Sequence, residues 1–214
     1  QLEDPKQAKG IVKRGVVRVI TAGTLLESNF LNQNSNNYMC AVFKNGEKWG
    51  FAYTDISTGE FKASELTSET LITELARIQP AEIVAPAKKM KLQPFQIVPE
   101  ETVDLPEEIT KLYNCSKVPA KVFEEDFAKN NLQQVFKINS LDAIGYNTCP
   151  AGFRAGAGLL AYIWENLKDG FPKFERIETY ELSEFMAIDA NTRKNLELTE
   201  TLREKNKYGS LLWA

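Results

Sequence analysis

The chain has 214 residues, and 43% of them are hydrophobic, which is enough apolar material for a buried core and excludes an intrinsically disordered chain. It contains no histidine, which excludes Ser-His and Cys-His nucleophilic pairs and His-ligated zinc. Its three cysteines, Cys40, Cys115 and Cys149, are odd in number and widely spaced, so we expect neither a disulfide framework nor a thiolate metal site. Such cysteines are typical of a reducing compartment, and we therefore expect the protein in the cytoplasm. No apolar run approaches membrane-spanning length, so we expect no membrane contact.

The formal net charge of −3 is unevenly distributed. Residues 1–24 carry five basic and two acidic side chains, whereas residues 25–170 carry 14 basic and 19 acidic ones. Because nonspecific affinity for nucleic acid comes from Lys and Arg that neutralise phosphates, the acidic central part predicts weak DNA binding. Weak contacts with a DNA backbone are expected from the basic N-terminal segment, at Lys9, Lys13, Arg14 and Arg18.

The first half of the chain predicts an antiparallel meander. Asn45-Gly46 is a strong hairpin signal, and Thr58-Gly59 marks the next turn. The predicted segments are an extended stretch at 12–21, a polar loop at 31–37, and strands at 38–43, 49–56 and 60–63.

After this meander the apolar period changes to that of a helix. Thr67 or Ser68 can cap it, and Pro80 ends it; its apolar positions are Leu71, Ile72, Leu75, Ala76 and Ile78. Further along we predict strands at 82–85 and 96–98, helices at 122–136 and 150–168, and an extended stretch at 174–180. A meander followed by alternating helices and strands predicts an α/β fold with a mixed sheet flanked by helices, similar to a ribonuclease-H-like arrangement.

Three acidic residues, Asp55, Glu60 and Glu65, fall around the meander. In a metal-dependent nuclease of ribonuclease-H-like type, several carboxylates converge to bind two metal ions. The alternative is that Asp55 hydrogen-bonds the turn at 57–59, which the Asx-turn preference of aspartate favours. The later acids lie at a helix start, 124–126, and in a loop. We therefore favour the turn interaction of Asp55 over a nuclease site, and predict no catalytic residue and no metal site.

Gly156 and Gly158 fit a loose dinucleotide fingerprint, but that motif has to join a strand to the start of a helix. Both glycines lie inside the predicted helix 150–168, so we expect them to allow close helix packing. No phosphate-binding loop of the Gly-x4-Gly-Lys-Ser/Thr type occurs in the sequence. These observations count against a generic α/β ligand-binding module.

The stretch Phe185-Met-Ala-Ile-Asp-Ala-Asn-Thr-Arg-Lys-Asn-Leu-Glu-Leu-Thr-Glu-Thr-Leu-Arg203 resembles the junction between the connector and core (lever) domains of MutS-type DNA mismatch-repair proteins. Asp189 in it is a good helix N-cap. Further similarity is found at residues 4–24, 55–61, 74–83 and 209–213. Because these stretches are distributed from one end of the chain to the other, the resemblance extends over nearly the whole chain. One departure is Ala22, where the family usually has proline, which bears on the rigidity of the interdomain link.

This resemblance implies a fragment with three parts: residues 1–24 end the mismatch-recognition domain, 25–172 form the connector domain, and 173–214 begin the core domain. The apolar end at 209–213 likewise suggests a chain cut from a longer one. The Walker motifs of the family do not occur in the sequence. Its Phe-x-Glu mismatch motif is absent from residues 1–24, and the one Phe-x-Glu string, at 123–125, lies in the predicted helix 122–136. The parent is implied to be a homodimeric ATPase that uses ATP and Mg and binds mismatched DNA.

In the family the connector is non-catalytic, links the DNA-binding and ATPase parts and offers a surface to a MutL-type protein. The resemblance places part of that surface on the helix at 123–136. We expect an inward stripe of Phe123, Phe127, Ala128, Leu132, Val135 and Phe136. The partner-binding positions are then Lys129, Asn130, Asn131, Gln133 and Gln134, although an ordinary solvated helix face is an equally open interpretation.

Overall fold

The computed structural model describes Thr21 and residues 37–87, 90–93, 96–99, 105–167, 171–182, 188, 190–199, 201–203 and 208–213. Our predictions for the extended stretch before Thr21, the start of the polar loop at 31–37 and the helix cap at Asp189 lie outside these residues. The same is true of the expected DNA-backbone contacts, Lys9, Lys13, Arg14 and Arg18.

The predicted meander is confirmed. It consists of β1 (Tyr38–Asn45), β2 (Lys48–Asp55) and β3 (Glu60–Leu66), paired antiparallel in that order. The first hairpin is tighter than predicted, because Asn45 pairs with Lys48 and leaves two residues in the loop. Gly46 has a φ of +66°, a left-handed conformation that glycine adopts without a steric penalty.

Parallel strands complete a six-stranded sheet. β4 (Glu82–Ala87) pairs with β1, β7 (Cys115–Pro119) pairs with β4, and β8 (Glu178–Thr179) pairs with β3, in the order β7-β4-β1-β2-β3-β8. The predicted mixed α/β sheet, with an antiparallel front and a parallel back, is therefore confirmed. A separate hairpin joins β5 (Met90–Gln93) to β6 (Gln96–Pro99), and the predicted extension at 174–180 shortens to the two residues of β8.

Helix α1 (Ser68–Ile78) covers one face of the sheet. Thr67 and Thr70 form a capping box at its start, as the sequence indicated, and the chain leaves the helix before Pro80. Leu71 and Leu75 are buried against the sheet, but Ile72, predicted as an apolar core position, is 46% exposed. The helix buries a narrower stripe than its five apolar positions suggested. The short helix α2 (Glu107–Leu112) lies before β7 and was not predicted.

Helix α4 (Pro150–Leu167) covers the opposite face and forms the larger core, as predicted from its apolar spacing. The packing role of its glycines is confirmed at Gly158, where an added Cβ would lie 2.4 Å from the ring of Phe123. The first turn of α4 is held by Glu65, whose carboxylate accepts a hydrogen bond from the Ala151 N–H at 2.9 Å. A carboxylate at a helix N-terminus also interacts favourably with the helix dipole.

The helix predicted at 122–136 is divided. Residues Ala120–Phe123 form a 3₁₀ turn, Glu124 is extended, and α3 (Glu125–Phe136) begins after it. The cause is tertiary: the carbonyl of Phe123 accepts a hydrogen bond from Nε of Arg154 on α4 at 2.7 Å. The later start leaves the predicted inward residues from Ala128 onward on a regular helix.

The C-terminal part includes α5 (Ala190–Asn195) and a 3₁₀ turn at Leu211–Trp213. Leu211, Leu212 and Trp213 are between 54% and 73% exposed, as expected for this apolar end. The N–H of Leu211 donates to the carbonyl of Glu197 at 2.9 Å, which ties the turn to the segment after α5. Among the helices described, none is long and apolar enough to cross a membrane.

Candidate partner-binding surface

The acidic residues of the meander are engaged in structural contacts. Oδ1 of Asp55 accepts hydrogen bonds from the N–H and the hydroxyl of Ser57 at 2.8 and 2.5 Å, which confirms the predicted turn interaction. Glu60 accepts from the hydroxyl of Tyr38 at 3.1 Å, and Glu65 accepts from α4 and pairs with Lys48. Across the residues with assigned positions, no group of three or more His, Cys, Asp or Glu side chains could hold a metal ion.

We predict that Asp55→Asn affects the turn and not any catalysis. The amide oxygen can still accept from Ser57 and only the negative charge is lost, so the fold should be destabilised by less than about 1 kcal/mol, the typical net value of a hydrogen bond. The measurement is urea unfolding, together with an assay for manganese-dependent cleavage of DNA and RNA by the unsubstituted chain. Nuclease activity that disappears in Asp55→Asn would restore the nuclease hypothesis.

The burial of its apolar residues shows which side of α3 faces the core. Ala128 and Leu132 are fully buried, and Val135 and Phe136 are partly buried against the same core. The prediction was wrong for Phe127, which is partly exposed and belongs to neither core among the residues described. At 100° per residue it lies about 140° from Leu132, so the geometry of the helix places it on the solvent side.

The five predicted partner-binding residues separate into two groups. Asn130 and Gln134 are exposed as predicted, but Lys129, Asn131 and Gln133 are half-buried. Nζ of Lys129 pairs with Glu125 one turn earlier at 2.5 Å, and Nε2 of Gln133 donates to the carbonyl of Asn139 at 3.0 Å. The carbonyl oxygen Oδ1 of Asn131 is buried and has no hydrogen-bond partner.

We define the outer face of α3 as Phe127, Asn130, Asn131 and Gln134. Their spacing of three and four residues places them on one stripe. One aromatic ring among three neutral amides offers both a hydrophobic anchor and hydrogen-bonding groups that cost less to desolvate than charges. This composition is suited to a protein contact that forms and dissociates.

Beside the outer face lies a polar recess of about 670 Å³ between α3 and the loop at 139–147. Its principal side chains are Asp126, Lys129, Ser140, Asp142, Tyr146 and Asn147. Tyr146 is 3% exposed, and its hydroxyl has no hydrogen-bond partner. Burial raises the pKa of Tyr146, so the hydroxyl keeps its proton at neutral pH. Because buried polar groups are nearly always paired, such an atom calls for an explanation.

An ionic cluster under α1, in which Glu74 is buried and the Arg77 side chain is 40% exposed, was missed by the sequence analysis. The carboxylate of Glu74 is fully buried and accepts two hydrogen bonds from Arg77, at 2.8 and 2.5 Å, and a third from the hydroxyl of Tyr180 at 2.6 Å. The bonds from Glu74 raise the pKa of Arg77 above its ordinary value, so the guanidinium remains charged. The spacing of Glu74 and Arg77 was the available signal, but it is equally typical of an exposed helix pair.

The Thr192-Arg193 pair of the junction sequence makes a second contact that was not anticipated. Nη1 of Arg193 donates to the carbonyl of Arg77 at 2.8 Å and lies 3.5 Å from that of Ala76. Basic side chains at a helix C-terminus satisfy carbonyls that lack helical partners. Arg193 therefore attaches α5 to the end of α1, beside an apolar groove of about 380 Å³ that includes Ile72 and Leu112.

These features define a class of protein: an α/β domain whose carboxylates support turns, helix ends and a buried ion pair, with an amide-rich helix face left toward solvent. The family model described as MutS domain II matches residues 37–175. The chain therefore belongs to the MutS family of DNA mismatch-repair proteins and contains its connector domain, as the resemblance implied.

Relatives extend the similarity beyond the connector. Over its whole length the chain is 42% identical to the DNA mismatch repair protein MutS of Acaryochloris marina, 39% to that of Trichormus variabilis and 38% to that of Alkaliphilus oremlandii. It spans about a quarter of the length of these relatives, with 24%, 25% and 24% of each covered.

Proposed function

We propose that the chain is the non-catalytic connector region of a MutS-type mismatch-repair protein and that the outer face of α3 binds a MutL-type protein. Residues 1–24, 25–172 and 173–214 are the end of the mismatch-recognition domain, the connector and the start of the core domain. The whole protein is proposed to be a cytoplasmic homodimer that uses ATP and Mg and binds mismatched DNA.

The observation that carries the binding proposal is the outer face itself. Phe127 is partly exposed on a helix whose other large apolar residues pack against the core. Asn131, in the same stripe, is half-buried and its Oδ1 has no hydrogen-bond partner, so this oxygen is not committed to an intramolecular contact. An aromatic anchor surrounded by amides matches the composition that dominates the energy of protein interfaces.

The linking role is supported by contacts at both ends of the connector. Arg193 attaches α5 to the end of α1, and the side chain of Thr21 hydrogen-bonds Tyr162 on α4. Tyr162 also donates to the buried carboxylate of Glu82 at 2.6 Å, which in turn accepts from Ser116 at 2.5 Å. The segment before the connector is thus attached to the buried Tyr162, and the segment after it to backbone carbonyls at the end of α1, which supports a linking role.

We predict that Phe127→Ala combined with Asn130→Asp lowers the affinity for a MutL-type protein of the same organism at least about tenfold, since losing an aromatic anchor commonly costs more than 1 kcal/mol. Binding is measured by calorimetry, and thermal unfolding checks the fold. Glu165→Lys, an exposed change on α4, is the control and should leave the affinity unchanged. Unchanged affinity in the double variant, with an intact fold, would contradict the assignment of this face.

We predict weak DNA binding at physiological salt. Residues 25–170 are net acidic, so contacts are expected to come from Lys9, Lys13, Arg14 and Arg18. These contacts should weaken with added salt, because salt makes the release of counterions from the DNA less favourable. Electrophoretic mobility shifts at two salt concentrations should show this, and neutralising those four residues should remove the residual binding. Tight, salt-insensitive binding, or a preference for mismatched duplex, would argue against the prediction.

A further inference from the structure

The recess beside the outer face carries excess negative charge. Its ammonium group, Nζ of Lys129, is already neutralised by Glu125 at 2.5 Å. The carboxylate of Asp142 accepts from Nδ2 of Asn147 at 2.7 Å and from the Ser140 hydroxyl at 3.3 Å, both neutral donors. Asp126 forms no ion pair with any residue that the structure describes. Asp126 acts on Lys129 through its charge but forms no salt bridge with it, so one ammonium faces the three carboxylates of Glu125, Asp126 and Asp142, and the net charge there stays negative.

Tyr146 supplies the second, independent observation. Its ring packs at 5.6 Å on Phe153, and Nζ of Lys129 lies 5.6 Å over the ring, so the side chain is held in place on the floor of the recess. It is 97% buried, yet its hydroxyl has no partner. A phenylalanine would fill this position equally well without an unpaired polar atom. The hydroxyl is therefore best explained by a hydrogen bond that forms when the recess is occupied.

We propose that this recess takes a guanidinium side chain, an arginine of the MutL-type partner that binds the adjacent outer face. The inference rests on the proposed function and names the chemistry of the contact. The planar guanidinium carries five donors, enough to pair with both carboxylates and the hydroxyl oxygen of Tyr146. Lys129 stays paired with Glu125 and borders the site.

A bare metal ion fits this recess less well than an organic cation. No third His, Cys, Asp or Glu joins the two acids among the residues described, and the rest of the lining consists of amides, hydroxyls, Leu141 and the ammonium of Lys129, which would repel a bare metal ion. Mg²⁺ and Ca²⁺ need a denser set of oxygen ligands. A guanidinium instead pairs with a small number of carboxylates through directed hydrogen bonds, and its other donors suit neutral acceptors.

The first experiment uses a small probe and no partner protein. N-acetyl-arginine amide is titrated into the 214-residue chain, and backbone amide shifts are followed by NMR, with N-acetyl-citrulline amide as the uncharged control of the same shape. We expect the arginine compound to shift signals of residues 139–147, and the citrulline compound to bind at least tenfold more weakly. Equal binding of the two compounds would overturn the proposal.

The second experiment changes the recess. The double variant Asp126→Asn with Asp142→Asn should lower the affinity for the arginine probe and for the MutL-type partner at least tenfold. Tyr146→Phe should lower both affinities severalfold. The melting temperature should stay unchanged or rise, because the substitution removes an unpaired buried hydroxyl. A merely structural role for Tyr146 would lower the melting temperature instead.

The outcomes separate this inference from the proposed function. If the Phe127 variant binds the partner more weakly but the aspartate variant binds it with unchanged affinity, the assignment of the outer face is supported and the arginine site is refuted. If the Phe127 variant binds the partner with unchanged affinity but the aspartate variant binds it more weakly, the assignment of the outer face is refuted and the arginine site is supported. If the aspartate variant binds the probe as well as the unchanged chain, the proposal fails whatever the partner does.

Discussion

Arg77→Met is expected to destabilise the chain by about 3–5 kcal/mol, the cost of leaving a buried charge without its partner. The carboxylate of Glu74 is fully buried and loses both of its guanidinium hydrogen bonds in this variant. The hydroxyl of Tyr180 remains as a single neutral donor at 2.6 Å, which is too little to compensate a buried charge. Urea unfolding monitored by fluorescence and circular dichroism measures the change.

The matched control removes both charges. Glu74→Leu with Arg77→Met should be less destabilised than Arg77→Met alone, since well-packed apolar side chains often replace a buried ion pair at little cost. Lys111→Met, which breaks an exposed pair with Glu107 on α2, should change the stability by less than about 1 kcal/mol. Were Arg77→Met no more harmful than Lys111→Met, the buried pair would not be important to the stability of this fold.

The second large effect is expected from Gly158→Ala. The new Cβ would lie 2.4 Å from Cε1 of Phe123, and that ring is 2% exposed and already packed at 5.3 Å against Phe43. Overpacking of this kind costs about 1–3 kcal/mol. Because Phe123 ends the turn that precedes α3, we also expect a weaker affinity for the MutL-type partner.

Gly156→Ala is the control for this prediction. At that position the nearest atom to an added Cβ is the flexible end of Ile177, 3.1 Å away, so a small side-chain adjustment relieves the contact. Alanine also favours a helix over glycine by up to about 1 kcal/mol, which offsets part of any cost. Stability and partner affinity are measured for both variants. A Gly158→Ala chain as stable as Gly156→Ala would show that Phe123 can move freely.

Local patterns predicted much of the fold because the interactions involved are local. Alternating residues around Gly46 and Gly59 form β1 to β3, and the Thr67 cap with apolar residues at helical spacing forms α1. The Asp55 turn needs only two residues of chain, so the sequence could also predict it. The MutS family was identifiable for a different reason, since the junction sequence around Arg193 is dense enough to recognise without a structure, and the MutS relatives match the chain over its whole length.

The candidate site was harder to predict because its details depend on distant residues. Helical spacing could not show that Arg154 would engage the carbonyl of Phe123 and delay the start of α3, and this contact joins residues 31 positions apart. Phe123 was correctly predicted to lie in the core, but Phe127 was placed there as well, whereas it lies on the outer face.

The sequence by itself determined the family, the mixed α/β class and the helix that carries the candidate surface, because strand alternation, caps and turn residues act over a few neighbours. Tertiary structure alone decided which of its polar residues remain available to a partner. Gln133 is engaged by the backbone of Asn139, and Lys129 lies over the ring of Tyr146. Likewise, the spacing of Glu74 and Arg77 acquires its energetic importance only because β-sheet packing excludes water from the carboxylate.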